Sequence, residues 1–159
     1  VGSRFTYARG RLVLWDAKGI YQLKTFQQIL ESAKYRRLSI ANPSIAPYGH
    51  AALSILKNLK LNDVIKNKLI TGENVSQAYQ YVATGAADIG FVALSQLKVQ
   101  KNKSSGKFWV VNEDLHEPIL QQAVLLKNNR NKLQAKTFLK YLKSSKVMAM
   151  IEEFGYGLI

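Results

Sequence analysis

Short apolar runs alternate along this chain with stretches of helical periodicity, joined by brief polar connections. Few arrangements satisfy that order. Residues 11–15, 38–41, 88–94, 108–111 and 119–126 read as strands, rich in Val, Ile, Leu and aromatic side chains. Leu23, Phe26, Ile29, Leu30 and Ala33 recur at helical spacing and predict a helix over 21–33. Ala52, Ile55, Leu56 and Leu59 predict another over 47–59, opened by Pro47 at the first helical position, where a missing N–H costs nothing. Residues 64–70 read as a short helix or turn leading into a strand-like 69–71. Asn74 caps a helix over 75–84, and Gly85 stops it. Residues 101–107 read as a polar loop. Two helices close the chain, 131–143 and 146–154, the first with Leu133, Phe138, Leu139 and Leu142 inward. Strands and helices in this order call for a largely parallel sheet covered on both faces, so the expected fold class is α/β.

The 159 residues are enough for one domain or a small two-lobed unit with its own core. Cysteine is absent, so disulfides, thiolate metal sites and cysteine nucleophiles are excluded. No apolar run approaches the roughly 18 residues that cross a bilayer as a helix. The opening residues lack both an initiator Met and a secretory signal pattern, and read as the middle of a longer protein or a processed piece. With 23 Lys and Arg against 10 Asp and Glu, the net charge is +13, which favours anionic partners. The cations are spread between apolar residues, as on the solvated faces of amphipathic elements. No Arg-rich tract or aromatic RNA-binding motif accompanies them, so nucleic acid is not the expected partner.

No pattern of catalytic chemistry stands out. His50 falls in the first turns of a predicted helix, and His116 falls in a loop beside Glu117 and Pro118. The acidic pairs Glu113-Asp114 and Glu152-Glu153 are neighbours in sequence, which point apart on a helix. No set of metal-ligating residues converges, so neither a metal nor a cofactor is expected. The informative features are two helix starts. In Ala46-Pro47-Tyr48-Gly49-His50, the amides of Tyr48, Gly49 and His50 are expected to lack intrahelical partners, and Gly49 leaves room for a close approach. In Gly72-Glu73-Asn74-Val75-Ser76-Gln77, Asn74 and Gln77 have capping-box spacing, and amides from Val75 onward are free. A helix N-terminus carries roughly half a positive elementary charge, so two such ends facing one cleft would hold an anion with neutral donors.

These same residues carry a resemblance. Ser3-Arg4-Phe5-x-Tyr7-Ala8-x-Gly10-Arg11-Leu12-Val13-Leu14-Trp15, Ala41-Asn42-Pro43-x-x-Ala46-Pro47-Tyr48-Gly49, Gly72-Glu73-Asn74-Val75-x-Gln77-Ala78-Tyr79 and Gly90-Phe91-Val92-Ala93-Leu94-Ser95-Gln96 are collinear motifs. With the closing Phe154-Gly155-Tyr156, they resemble the periplasmic molybdate-binding proteins of molybdate ABC transporters. The resemblance implies a periplasmic binding protein type II architecture, two lobes joined by two crossings. It implies capture of molybdate or tungstate by hydrogen bonds, without chemistry, and delivery to a membrane permease. It places ligand donors at Tyr48 and Val75, supported by Pro47, Gly49 and Asn74. Some members have a tyrosine in the strand matching 89–93, whereas this chain has Ala93 and offers no phenol there.

The resemblance also divides the chain. Residues 1–7 would form the first crossover, 8–120 the second lobe, and 121–159 the second crossover and C-terminal helices. Those helices would pack on a first lobe whose N-terminal segment precedes the residues given. Phe138, Leu142, Ile151 and Phe154 would then form an apolar face without its partner, and a homodimer, with C-terminal helices exchanged, is the expected cover. The implied location is periplasmic, or extracytoplasmic on a lipid anchor. Three rivals remain at this stage: the same fold sensing an effector for a regulator, the same fold binding another anion, and a basic nucleic-acid-binding domain.

Overall fold

The computed structural model describes residues 3–22, 25–99, 106–128 and 130–159. Its strands are β1 (Phe5–Gly10), β2 (Leu12–Asp16), β3 (Leu38–Ala41), β4 (Leu69–Gly72), β5 (Ile89–Ala93), β6 (Lys107–Val110) and β7 (Ile119–Ala123). Its helices are α1 (Phe26–Ser32), α2 (Pro47–Asn58), α3 (Asn62–Ile65), α4 (Val75–Ala83), α5 (Leu94–Val99), α6 (Lys132–Tyr141) and α7 (Ser145–Glu153), with a 3-10 turn at Glu113–Leu115. Five strands form one sheet in the order β4-β3-β5-β2-β6. β3 is parallel to both β4 and β5, while β2 runs antiparallel to β5 and β6. Four of the five strands therefore share a direction, and the expected mostly parallel sheet is found.

Side-chain parity sorts the core into two layers. Along β2, Leu12 and Leu14 face one side while Val13 and Trp15 face the other; along β5, Ile89 and Phe91 oppose Val92. The first layer receives Phe26, Ile29 and Leu30 of α1 and Ala52, Ile55 and Leu56 of α2. The second receives Tyr79 and Val82 of α4 and Leu94 and Leu97 of α5. Trp15 stacks on Tyr79 with ring centroids 4.8 Å apart. Burial on both faces explains the apolar runs of β2 and β5, while β3 alternates and its buried Ser39 hydroxyl donates to the Ala78 carbonyl.

Several expected boundaries move. α1 begins at Phe26 rather than at residue 21, because Asp16 holds the preceding chain in a turn. Its buried carboxylate accepts from the amides of Lys18 (3.1 Å), Gly19 (3.0 Å) and Tyr21 (2.9 Å). Thr25 then caps the helix through the amide of Gln28. Leu23 lies outside the described residues, as do residues 101–105 of the expected polar loop. Leu94 ends no strand; it opens α5. β7 stops at Ala123, short of residue 126. β1, not anticipated as a strand, pairs antiparallel with β7 in a separate two-stranded ribbon. Replacing Asp16 with Ala removes three charge-assisted hydrogen bonds, with an expected cost of about 2 kcal/mol. Urea unfolding checks it: the midpoint falls for Asp16→Ala and falls less for Asp16→Asn, which retains one acceptor.

The C-terminal helices lie apart from this core. α6 buries none of its residues, contrary to the inward face expected of it. Leu133 is 75% exposed and Phe138 58% exposed. With Tyr7, Val147, Met150 and Phe154, Phe138 borders an apolar groove of about 340 Å³. No helix among the described residues is long and apolar enough to cross a membrane.

Candidate functional site

The connection that follows β3 enters α2 on one face of the sheet, and the connection that follows the adjacent parallel strand β4 enters α4 on the other. Neighbouring strands whose exits diverge in this way leave a crevice at their carboxyl ends, the usual ligand position in open α/β sheets. Both candidate helix starts therefore open at one edge of the sheet. The Asn42 amide donates to the Gly72 carbonyl at 2.7 Å and holds the two exits together.

The first turn of α2 departs from the expected set of donors. The amides of Gly49 (2.9 Å) and His50 (3.0 Å) both donate to the carbonyl of Ala46. His50 is the fourth residue past the cap, where the regular helical bond begins, and Gly49 shares that carbonyl by a tighter bond. The expectation that both are free is corrected. Pro47 has no N–H. Tyr48 alone in this turn keeps an amide without a partner among the described residues. The close approach at Gly49 is made by the protein itself. A Cβ there would stand 2.2 Å from the carbonyl oxygen of Ala41. The glycine thus lets α2 seat its first turn on the end of β3, which sets where the Tyr48 amide points.

The start of α4 keeps more of its donors. The Asn74 side chain accepts from the Gln77 amide at 3.0 Å, and the Gln77 side chain reaches back to the amide of Glu73 at 2.6 Å. That is one residue beyond the cap a capping box would close on. The amides of Asn74, Val75 and Ser76 are left without partners among the described residues. Gln96 braces this turn from α5: its amide nitrogen donates to the Val75 carbonyl at 3.3 Å, while its oxygen accepts from Ala93 N at 3.0 Å. No acidic residue occupies the first turn of α2 or α4.

A cavity of about 330 Å³ opens beside α4, lined by Ser76, Tyr79, Ser95, Gln96 and Tyr156 among others. Tyr156 is also near enough to the Tyr48 phenol to add to its pKa, which burial raises well above that of a free tyrosine. The phenol of Tyr48 is therefore neutral at any ordinary pH. Among the described residues no three His, Cys, Asp or Glu side chains are placed to hold a metal ion. The two helix starts offer hydrogen-bond donors, with the partial positive charge of a helix end, suited to an anion. Gln96 and Tyr156 were not identified as site neighbours from sequence, although both fall within motifs singled out there. Nothing in their spacing shows that they lie beside α4.

The family model described as bacterial extracellular solute-binding protein matches residues 1–157. The chain is 46% identical to the molybdate-binding protein ModA of Azotobacter vinelandii over 157 residues, covering 99% of this chain and 62% of that protein. It is 41% identical to ModA of Rhodobacter capsulatus, with 98% and 60% covered. The solved structure of the Azotobacter vinelandii periplasmic molybdate-binding protein superposes with a TM-score of 0.90 at 40% identity, over 99% of this chain and 69% of that one. The chain thus spans about three-fifths of the length of these curated relatives.

Proposed function

The chain belongs to the bacterial extracellular solute-binding protein family, and from that premise we propose that it holds molybdate or tungstate for an ABC importer. What supports this reading is that two helix starts with unpartnered amides, Tyr48 on α2 and Val75 with Ser76 on α4, each follow the carboxyl end of one of two adjacent parallel strands. The ligand is captured without chemistry. Tyr48 and Val75 donate through their backbones. Pro47 and Gly49 shape the first turn that presents Tyr48, and Asn74 caps the turn that presents Val75. Donors without acceptors favour a fully deprotonated oxyanion over one that must itself donate, such as phosphate at neutral pH. The larger tetrahedron of molybdate is separated from sulfate by the size of the closed cavity.

In this reading β1 and β7 are the two crossings between lobes. Residues 1–7 form the first crossover and 8–120 the second lobe, and 121–159 return to the first lobe. The paired ribbon and the exposed apolar face of α6 and α7 support that division. The working location is extracytoplasmic, free or lipid-anchored, and the closed two-lobed form docks on a membrane permease. In the isolated chain, a second copy exchanging C-terminal helices covers the apolar face.

A thermal-shift screen of oxyanions on the two-lobed protein tests the ligand. A ligand at 1,000 times its dissociation constant adds about 4 kcal/mol of stability. Molybdate and tungstate are expected to raise the melting temperature by several degrees, and sulfate and phosphate are not. Stabilisation by sulfate or a carboxylate alone would sink the assignment.

A further inference from the structure

We propose that the β1 ribbon positions the Tyr48 amide through the Tyr48 ring, with Gly10 as the positioning residue. This rests on the reading of Tyr48 as an anion donor. Gly10 is the last residue of β1, paired with Ile119 of β7. A Cβ at Gly10 would lie 2.3 Å from Tyr48 Oη, 2.8 Å from its Cζ and 3.0 Å from Ile119 Cγ2. The ring of Tyr48 thus occupies a notch that exists only because residue 10 has no side chain.

The other edge of β1 is held as well. Arg9 exchanges two backbone hydrogen bonds of 2.8 Å with Gly157, and its guanidinium donates to the Leu158 carbonyl (2.9 and 3.1 Å) and to Glu113 (3.1 Å). This clamp fixes the tail at Gly157 and Leu158 beside β1. At the other end of the same residue, Gly49 presses the α2 turn onto β3. Tyr48 is therefore gripped by its ring at the ribbon and by its backbone at the sheet. A change in the ribbon is transmitted to the Tyr48 amide in the first turn of α2. No hydrogen bond of the Tyr48 hydroxyl accounts for its placement among the described residues, so the coupling is steric.

The test uses the two-lobed protein, with molybdate binding measured by calorimetry and the amide of Tyr48 followed by 15N–1H spectra without ligand. Gly10→Ala is expected to weaken molybdate binding at least ten-fold and to shift the Tyr48 amide resonance more than that of Val75. Tyr48→Leu keeps the backbone amide and empties the notch. Adding Gly10→Ala to Tyr48→Leu should then change affinity by less than about three-fold, a non-additivity that general destabilisation does not produce. The proposal is overturned if Gly10→Ala leaves the Tyr48 resonance in place, or if it costs as much in the Tyr48→Leu background as alone. Should the wild-type protein fail to bind molybdate, the ligand assignment is what fails. The Tyr48 resonance still decides the coupling.

Discussion

The 159-residue chain alone, folded as judged by circular dichroism, is expected to bind molybdate at least about 1,000-fold more weakly than the proposed two-lobed form. The donors here open at one side of a crevice, and Asn74 and Ser76 are exposed. An oxyanion resting on them stays hydrated on its other faces, where attraction is damped by the dielectric of water. A facing lobe would add donors and exclude that water. Even three further hydrogen bonds to a charged group, at about 1.5 kcal/mol each, give roughly 4.5 kcal/mol, and every 1.4 kcal/mol is a factor of ten. Calorimetry on both proteins checks it, and submicromolar binding by the isolated chain would mean that these helix ends form a complete site.

Val75→Pro in the two-lobed protein is expected to lower molybdate affinity by about 30- to 100-fold with little loss of stability. Val75 is the first residue of α4, where proline is well tolerated because its N–H has no helical partner. Asn74 already has the extended backbone that a following proline requires, with φ −146° and ψ 175°. The substitution deletes one donor and leaves the cap on Gln77 in place. A hydrogen bond to a charged group contributes about 1.5–3 kcal/mol, which brackets the expected loss. Val75→Ala, which keeps the amide, should bind within a few-fold of wild type. Equal affinity in the proline variant would remove Val75 from the donor set.

Much of the fold was legible because its signals are local. The apolar run of β2, the cap at Asn74, and Pro47 at a helix start are each set by neighbours within a few residues. The errors share a different cause. Residues 21–25 carry helical spacing, yet the buried Asp16 carboxylate draws the Tyr21 amide into a turn. β1 shows no clean alternation, and its pairing with β7 joins residues more than a hundred positions apart. At the site, the sequence marks both helix starts but leaves three amides of α2 free, whereas among the described residues only that of Tyr48 lacks a partner. The carbonyl of Ala46 takes the other two. Gly49 offers an opening for a ligand in the sequence, and the structure fills that opening with the backbone of Ala41.

The order of strands and helices, the capped turn before Val75 and the proline-opened turn before Tyr48 follow from the chain's own pattern. They follow because hydrogen bonds of helices and turns close over three or four residues. The crossing of exits at β3 and β4, the seat of the Tyr48 ring on Gly10 and the brace from Gln96 follow only from tertiary structure. Each joins residues distant in sequence, and which distant surfaces meet depends on how two core layers pack on a shared sheet.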